Sequence, residues 1–230
     1  MTDRITVGVV GNPNCGKSTL FNALTGASQQ VGNWPGVTVE KKTGEYRFNG
    51  QTIQVVDLPG TYSLESSDDQ VSLDEKVARD YVASSQADLI VNIVDASNIE
   101  RNLYLTSQLI EMRVPMVLVL NMMDVVKQRG IKIDLGFISQ QLGCPVVAIS
   151  ATSKNGITNL KELINQAALN KAVPNASLEY SPALEKAIVE LTAALRLTVN
   201  QKTCDLRWLA IRLLEGDTLA NQIANTVVLP

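Results

Sequence analysis

The sequence predicts an α/β fold: a mostly parallel six-stranded sheet with helices on both faces, followed by a small all-helical C-terminal domain. Three observations carry this. Short apolar runs recur at 5–10, 44–48, 52–56, 89–94, 116–120 and 146–149, and such runs between turn residues are strands. Helical spacing alternates with the later runs, at about 17–25, 70–84, 98–112, 134–142 and 157–169, and buried strands alternating with helices make a parallel sheet. After Ile149 no strand pattern returns, and leucines at helical spacing take over (Leu184, Ile188, Leu191, Leu195; Leu206, Leu209, Leu213). The runs 44–48 and 52–56 are joined by Asn49-Gly50, a two-residue hairpin turn that sets one antiparallel strand into the sheet.

Composition narrows the function. The chain has 230 residues, 45% of them hydrophobic, enough for one large domain or a medium one plus a small one. Net charge is −3, and no Lys/Arg block exists to grip nucleic acid. There is no histidine, so the commonest metal ligand and general base is missing. Three cysteines, at 15, 144 and 204, show neither paired nor metal-type spacing, as expected of free thiols in a reducing cytosol. No signal peptide precedes the first strand, and apolar stretches such as 114–120 fall far short of the ~20 residues that span a bilayer. The expectation is a chain that is soluble by itself.

The chain is organised around Gly11-Asn12-Pro13-Asn14-Cys15-Gly16-Lys17-Ser18, which fits the phosphate-loop pattern between a β-branched run and a helix. Glycines let the backbone curl so that successive N–H groups face the phosphates, and the helix N-terminus adds partial positive charge. Lys17 would reach the β- and γ-phosphates and the Ser18 hydroxyl would ligate Mg²⁺. An ordinary glycine-rich turn has the same outline, but the pattern arises by chance in only roughly one chain in a hundred of this length. The phosphate-binding set is therefore Gly11, Asn12, Pro13, Asn14, Cys15, Gly16, Lys17, Ser18 and Thr19, joined by Gly60.

In such sheets ligands lie at the C-terminal ends of the strands. Asp57-Leu58-Pro59-Gly60 follows the third strand. Asp57 suits the Mg²⁺ shell through water, and the Gly60 N–H suits the γ-phosphate; alone, D-x-x-G is also a common turn. Asn121-Met122-Met123-Asp124 follows the fifth strand. A carboxylate at Asp124 would select guanine by accepting from its N1–H and 2-amino group, although Asn and Asp also serve as helix caps. Ser150-Ala151-Thr152 follows the sixth and can offer a backbone N–H to the guanine O6. The guanine set is Asn121, Met122, Asp124, Ser150, Ala151 and Thr152. Between the first helix and the hairpin, 27–40 contains Gly32, Pro35 and Gly36 and reads as a loop with more than one conformation. Its Thr38 is the candidate to complete the Mg²⁺ shell when a γ-phosphate is present. Trp34 there is at least as apt for packing as for ligand contact. Asp68 and Asp69 fall in a second expected mobile loop as solvated charges.

The stretches 11–22, 31–40, 57–64 and 102–106, with Asn-Met-Met-Asp, stand in the order and spacing of a Ras-like P-loop GTPase. They closely resemble the cytosolic G domain of the bacterial ferrous-iron transporter B family. The loop around Trp34 is the most specific part. The resemblance implies a GTP-binding domain over 1–172 and a dissociation-inhibitor-like helical appendage over 173–230. It also implies GTP and GDP as substrate and product, with Mg²⁺ as cofactor. The appendage would lead to a membrane permease absent from this fragment, on the cytoplasmic side of the inner membrane, with self-association left open. The switch loops would be Val31, Gly32, Asn33, Trp34, Pro35, Gly36, Val37 and Thr38, then Asp57, Leu58, Pro59, Gly60 and Thr61.

There are departures from the pattern. Met122 replaces the lysine whose stem usually covers the base. Cys15 stands where Ser or Ala is common; it is either a thiol activated by the surrounding N–H groups or an inert small residue. Ras-type enzymes orient water with a Gln after D-x-x-G, but here that residue is Thr61, and no Arg or Lys lies between Ser18 and Glu40. Slow intrinsic turnover is the expectation. The resemblance implies that K⁺ takes the arginine's place, held by the Asn14 amide oxygen and the carbonyls of Gly32 and Trp34; otherwise Asn14 stabilises the loop. Two functions remain open: a K⁺-stimulated GTPase coupled to Fe²⁺ uptake, or a nucleotide sensor that gates the permease by occupancy, with hydrolysis a slow reset.

Overall fold

The computed structural model describes residues 4–64, 72–176, 180–197 and 204–225. One sheet runs through it, built from β1 (Arg4–Gly11), β2 (Gln29–Asn33), β3 (Glu40–Phe48), β4 (Gln51–Asp57), β5 (Leu89–Asp95), β6 (Met116–Asn121) and β7 (Val146–Ala148) in the order β2-β3-β4-β1-β5-β6-β7. All pairs are parallel except β2 with β3 and β3 with β4, so β3 is the single reversed strand.

The sheet thus has seven strands, not the six expected. The extra strand, β2, lies inside the stretch read as a loop. Every one of its residues is exposed, so it carries no apolar alternation, and its pairing with Glu40–Gly44 comes from backbone hydrogen bonds alone. β3 extends back to Glu40 for the same reason.

The helices are α1 (Lys17–Thr25), α2 (Leu73–Ala83), α3 (Ile99–Glu111), α4 (Met123–Gln128), α5 (Leu135–Leu142) and α6 (Ile157–Leu169). Leu20, Phe21 and Leu24 of α1 and Leu160 and Ile164 of α6 cover one face of the sheet against Val7, Val9, Ile53 and Val55. The other face, with Val10, Val56, Ile90 and Leu118, is covered from α2 and α3 by Ala78, Tyr81, Leu105 and Leu109. Ser72 and Glu75 form a reciprocal capping box that starts α2. Asp68 and Asp69 lie outside the described residues.

The C-terminal part is all helical: α7 (Pro182–Leu195), α8 (Leu206–Leu214) and α9 (Thr218–Asn225). Ser181 caps α7 with Pro182 at its first turn, and Asp205 caps α8. Three short helices cannot bury enough apolar surface alone. Ile188, Leu195, Leu206, Trp208 and Leu209 instead join the apolar cluster that contains Val82, Met112 and Met116, so the appendage packs on the sheet domain.

Candidate nucleotide site

β1 sits in the middle of the sheet between β4 and β5, with Val7, Val9 and Val10 fully buried. Its last residue, Gly11, has no room for a side chain, because a Cβ would stand 2.4 Å from the Ile93 carbonyl oxygen. The chain then turns through Asn14 at φ 67° and Gly16 at φ 91° into α1. Gly16 is required twice over: its φ is left-handed, and a Cβ there would stand 2.3 Å from Nδ2 of Asn121. α1 begins without a side-chain cap, so its first N–H groups are offered to the loop's concavity.

Asp57 ends β4 in register with Val9 of β1. Its Oδ1 accepts a hydrogen bond from the Lys17 ammonium at 2.5 Å, with the two side chains 8% and 13% exposed. Lys17, Ser18, Asp57, Leu58 and Pro59 line one cleft of about 300 Å³ together with Val39, Glu40, Lys42 and Asp74. The last three charged residues were not singled out in the sequence. The signal for one existed, since a two-residue turn at 49–50 fixes the hairpin register, and that register sets Lys42 opposite Asp57. Lys42 pairs with Glu40 at 2.7 Å. Its pKa is raised, chiefly by that bond and the charge of Glu40, with a smaller contribution from Asp57.

The D-x-x-G segment is laced to the phosphate loop. The Leu58 N–H donates to the Val9 carbonyl at 3.0 Å, and the Thr61 N–H donates to the Gly11 carbonyl at 3.2 Å. Thr61 is buried and its hydroxyl donates to the Ser63 carbonyl, so it is committed within the segment. Gly60 meets only ordinary contacts, with Pro13 at 3.6 Å from a built Cβ; nothing in this packing demands a glycine there.

Asn121 joins the phosphate loop to the guanine loops. It is 4% exposed; its Nδ2 donates to the Cys15 carbonyl at 2.9 Å, and its Oδ1 accepts the Ala151 N–H at 3.0 Å. Met122 turns the chain at φ 62°, and the Asp124 N–H donates to Ser150 Oγ at 3.1 Å, while Asp124 itself is exposed. The Ser150 N–H is used on the Asn155 carbonyl at 3.1 Å. The Ser150 and Ala151 N–H groups of the tripeptide are thus both engaged within the protein.

Other expected site residues are not brought in. Thr38 is exposed and outside the cleft lining. Trp34 is a packing residue, 7% exposed, edge-on to Tyr81 at 5.3 Å between ring centroids and under the Lys41 ammonium at 4.5 Å. Its carbonyl accepts the Val37 N–H at 3.2 Å, and Gly32 is paired in β2 with Lys41. The hard oxygens of Ser18 and Asp57 beside one another fit Mg²⁺. The amide of Asn14 and the carbonyls of Gly32 and Trp34 are of the type that suits K⁺, but in this conformation they are not gathered around the cleft. A larger cavity of about 640 Å³ lies elsewhere, between α8 and residues 112–115; it holds none of the motif residues, so the chemistry points to the smaller cleft.

The family model of ferrous iron transport protein B matches residues 5–164, and that of the FeoB cytosolic helical domain matches residues 180–227. The chain belongs to the FeoB family. It is 44% identical over 221 residues to the Fe(2+) transporter FeoB of Salmonella choleraesuis, an alignment covering 96% of this chain but 28% of that relative. The chain thus spans little more than a quarter of the length of the curated relatives it matches. Among solved structures it is similar to the cytosolic domain of L. pneumophila FeoB (42% identity, 96% of this chain and 93% of that one, TM-score 0.86). It is also similar to the cytosolic domain of T. maritima FeoB in a GDP form (38%, 99% and 88%, TM-score 0.90) and a GMPPNP form (39%, 98% and 87%, TM-score 0.89). The fold is accordingly that of FeoB G domains with their helical companion. Among the described residues no helix is long and apolar enough to cross a membrane.

Cys15 behaves as the inert alternative. Burial pushes its thiol up to about 11, against the lowering effects of the Lys17 N–H and charge; burial also pushes Cys144 to about 11. Between pH 9.0 and about 11 the unfolded chain ionises these thiols while the fold keeps them protonated, so they contribute stability below that window and lose it as pH rises through it. Denaturant unfolding at about pH 8 and about pH 10.5 should show a stability loss about 3–4 kcal/mol larger in the parent than in a Cys15→Ala/Cys144→Ala variant. Equal losses would contradict the burial assignment.

Proposed function

We propose that this chain is the guanine-nucleotide module of a ferrous-iron transporter, and that it binds GTP with Mg²⁺ and hydrolyses it slowly. The observation that carries the reading is the gathering of Lys17, Ser18 and Asp57 in one cleft beside a phosphate loop, with Asn121 linking that loop to the guanine segment. The GDP and GMPPNP forms of the T. maritima relative support it.

On this reading Lys17 would leave Asp57 for the β- and γ-phosphates, Ser18 would hold Mg²⁺ directly and Asp57 through water, and Asp124 would accept from the base. Mg²⁺ supplies neutralisation of the charge that develops on the phosphate oxygens. The Gly60 N–H would turn to the γ-phosphate, and Thr38 would join the residues that hold the metal in the GTP state. The Thr61 hydroxyl is committed to the Ser63 carbonyl and no Arg or Lys lies between Ser18 and Glu40, which supports slow water attack. Asn14, with Gly32 and Trp34 once their segment shifts, is the set that would hold K⁺, which would add positive charge where the arginine of other GTPases acts.

We take the G domain as 1–172 and the appendage as 173–230, a division supported by the separate family matches. The parent protein would lie at the bacterial inner membrane, with this part on its cytoplasmic side and coupled to its own permease. Gating by nucleotide occupancy is the second reading; Thr61's engagement with Ser63 favours it, since Thr61 stands where other GTPases carry the water-orienting Gln and its hydroxyl is already committed.

Asp124→Asn should weaken GTP by about one to two decades and favour xanthosine nucleotides, because an unpaired buried donor costs ~1–3 kcal/mol. Competition binding with GTP and XTP reads this; unchanged GTP affinity without XTP gain would show that guanine is not read there. Steady-state GTP hydrolysis in K⁺ and in Na⁺ should differ by about 10–100-fold, less than an arginine finger supplies. Asn14→Ala should abolish the difference while keeping most nucleotide affinity. A parent ratio near unity would remove K⁺ from the account and favour the occupancy reading.

A further inference from the structure

Of the two adjacent lysines on β3, one faces the nucleotide cleft. Successive side chains of a strand leave opposite faces of the sheet. The Lys41 ammonium accordingly stands over the Trp34 ring at 4.5 Å, whereas Lys42 lines the cleft with Lys17, Ser18 and Asp57. The antiparallel register sets Lys42 directly opposite Asp57, so the two side chains leave the same face with Cβ atoms about 4.5–5.5 Å apart. Glu40, two residues back on β3, shares that face and holds the Lys42 ammonium at 2.7 Å. Asp74, in the first turn of α2, is the remaining charged group of the lining. The lining thus carries two ammonium groups, Lys17 and Lys42, against three carboxylates, Glu40, Asp57 and Asp74.

We propose that Lys42 takes over the charge of Asp57 when Lys17 turns to the phosphates, so that this chain holds a guanine nucleotide before a divalent cation arrives. The inference rests on the function proposed above. Lys17 cannot serve Asp57 and a phosphate equally well. An Asp57 left alone would be an unpaired charge only 8% exposed, which is costly. Glu40 is different: its side chain is 57% exposed, water can solvate it, and an exposed pair of this kind is worth little. Lys42 therefore loses little at Glu40 and gains more at Asp57. Its stem rotates freely and its ammonium has three donors, so the exchange of partners needs side-chain rotation and no movement of the strand. Asp57 is already felt there. The Lys42 pKa is raised chiefly by the hydrogen bond and charge of Glu40, and to a smaller extent by the charge of Asp57. Once a metal's water shell compensates Asp57, Lys42 is free to return to Glu40.

The test is GDP affinity in EDTA and in saturating Mg²⁺, at a fixed ionic strength, for the parent, Lys42→Met, Lys42→Arg and Glu40→Gln. Both side chains are partly exposed, 39% for Lys42 and 57% for Glu40, so these substitutions leave the core untouched. Lys42→Met should weaken GDP by about tenfold in EDTA, the effect of one hydrogen bond to a charged group, and by less than about threefold with Mg²⁺. Lys42→Arg should keep the parent's ratio of the two affinities. Glu40→Gln should tighten GDP in EDTA, because it releases Lys42 to Asp57 beforehand. Equal losses in both buffers for Lys42→Met would show that the ammonium only attracts phosphate at a distance, and would overturn the inference. A parent that binds GDP with Mg²⁺ but not in EDTA would overturn it too, leaving the proposed function intact. A parent that binds no GDP in either buffer would overturn the proposed function and this inference together.

Discussion

The pairing of Lys17 with Asp57 is the constraint around which the rest of the site is arranged. Lys17 opens α1 beyond the loop that follows β1, Asp57 closes β4 beside β1, and both are nearly withdrawn from solvent. Either one alone would be expensive to bury, and removing a partner from such a pair typically costs about 3–5 kcal/mol. The parallel register of Val9 with Asp57 brings Asp57 level with the end of β1, from which the loop carries Lys17 back to it. On the function proposed above, a polyphosphate with a divalent cation would offer each group a better partner: anionic oxygens for the lysine and the water shell of a metal for the aspartate.

A second constraint is neutral. Asn121 spends its amide on the Cys15 carbonyl and on the Ala151 N–H, which locks three loops from separate strand ends into one rim. Its Nδ2 lies so close to Gly16 that no side chain fits there. The glycine of the phosphate loop and the asparagine of the guanine motif are therefore halves of one contact, though more than a hundred residues apart.

Much of this was legible in the sequence, and the failures have physical causes. The strand-loop-helix at 4–25, the Asn49-Gly50 hairpin and the amphipathic helices of the appendage carry local signals of period, turn chemistry and capping. β2 carries none, because an exposed edge strand is held by backbone bonds and hides its identity behind Gly32 and Pro35. The role of Asn121 was read as base contact, and its part as a clamp between loops appears only when the loops are brought together in space. Glu40 and Asp74 were invisible in the cleft for the same reason.

The central claim is that nucleotide and metal displace the Lys17–Asp57 pair. A crystal structure of this chain with Mg²⁺ and a non-hydrolysable GTP analogue tests it most directly. The account predicts that Lys17 Nζ moves from 2.5 Å to beyond ion-pair distance of Asp57, about 4 Å, and contacts the phosphates. An analogue bound with the Lys17–Asp57 contact intact would contradict it.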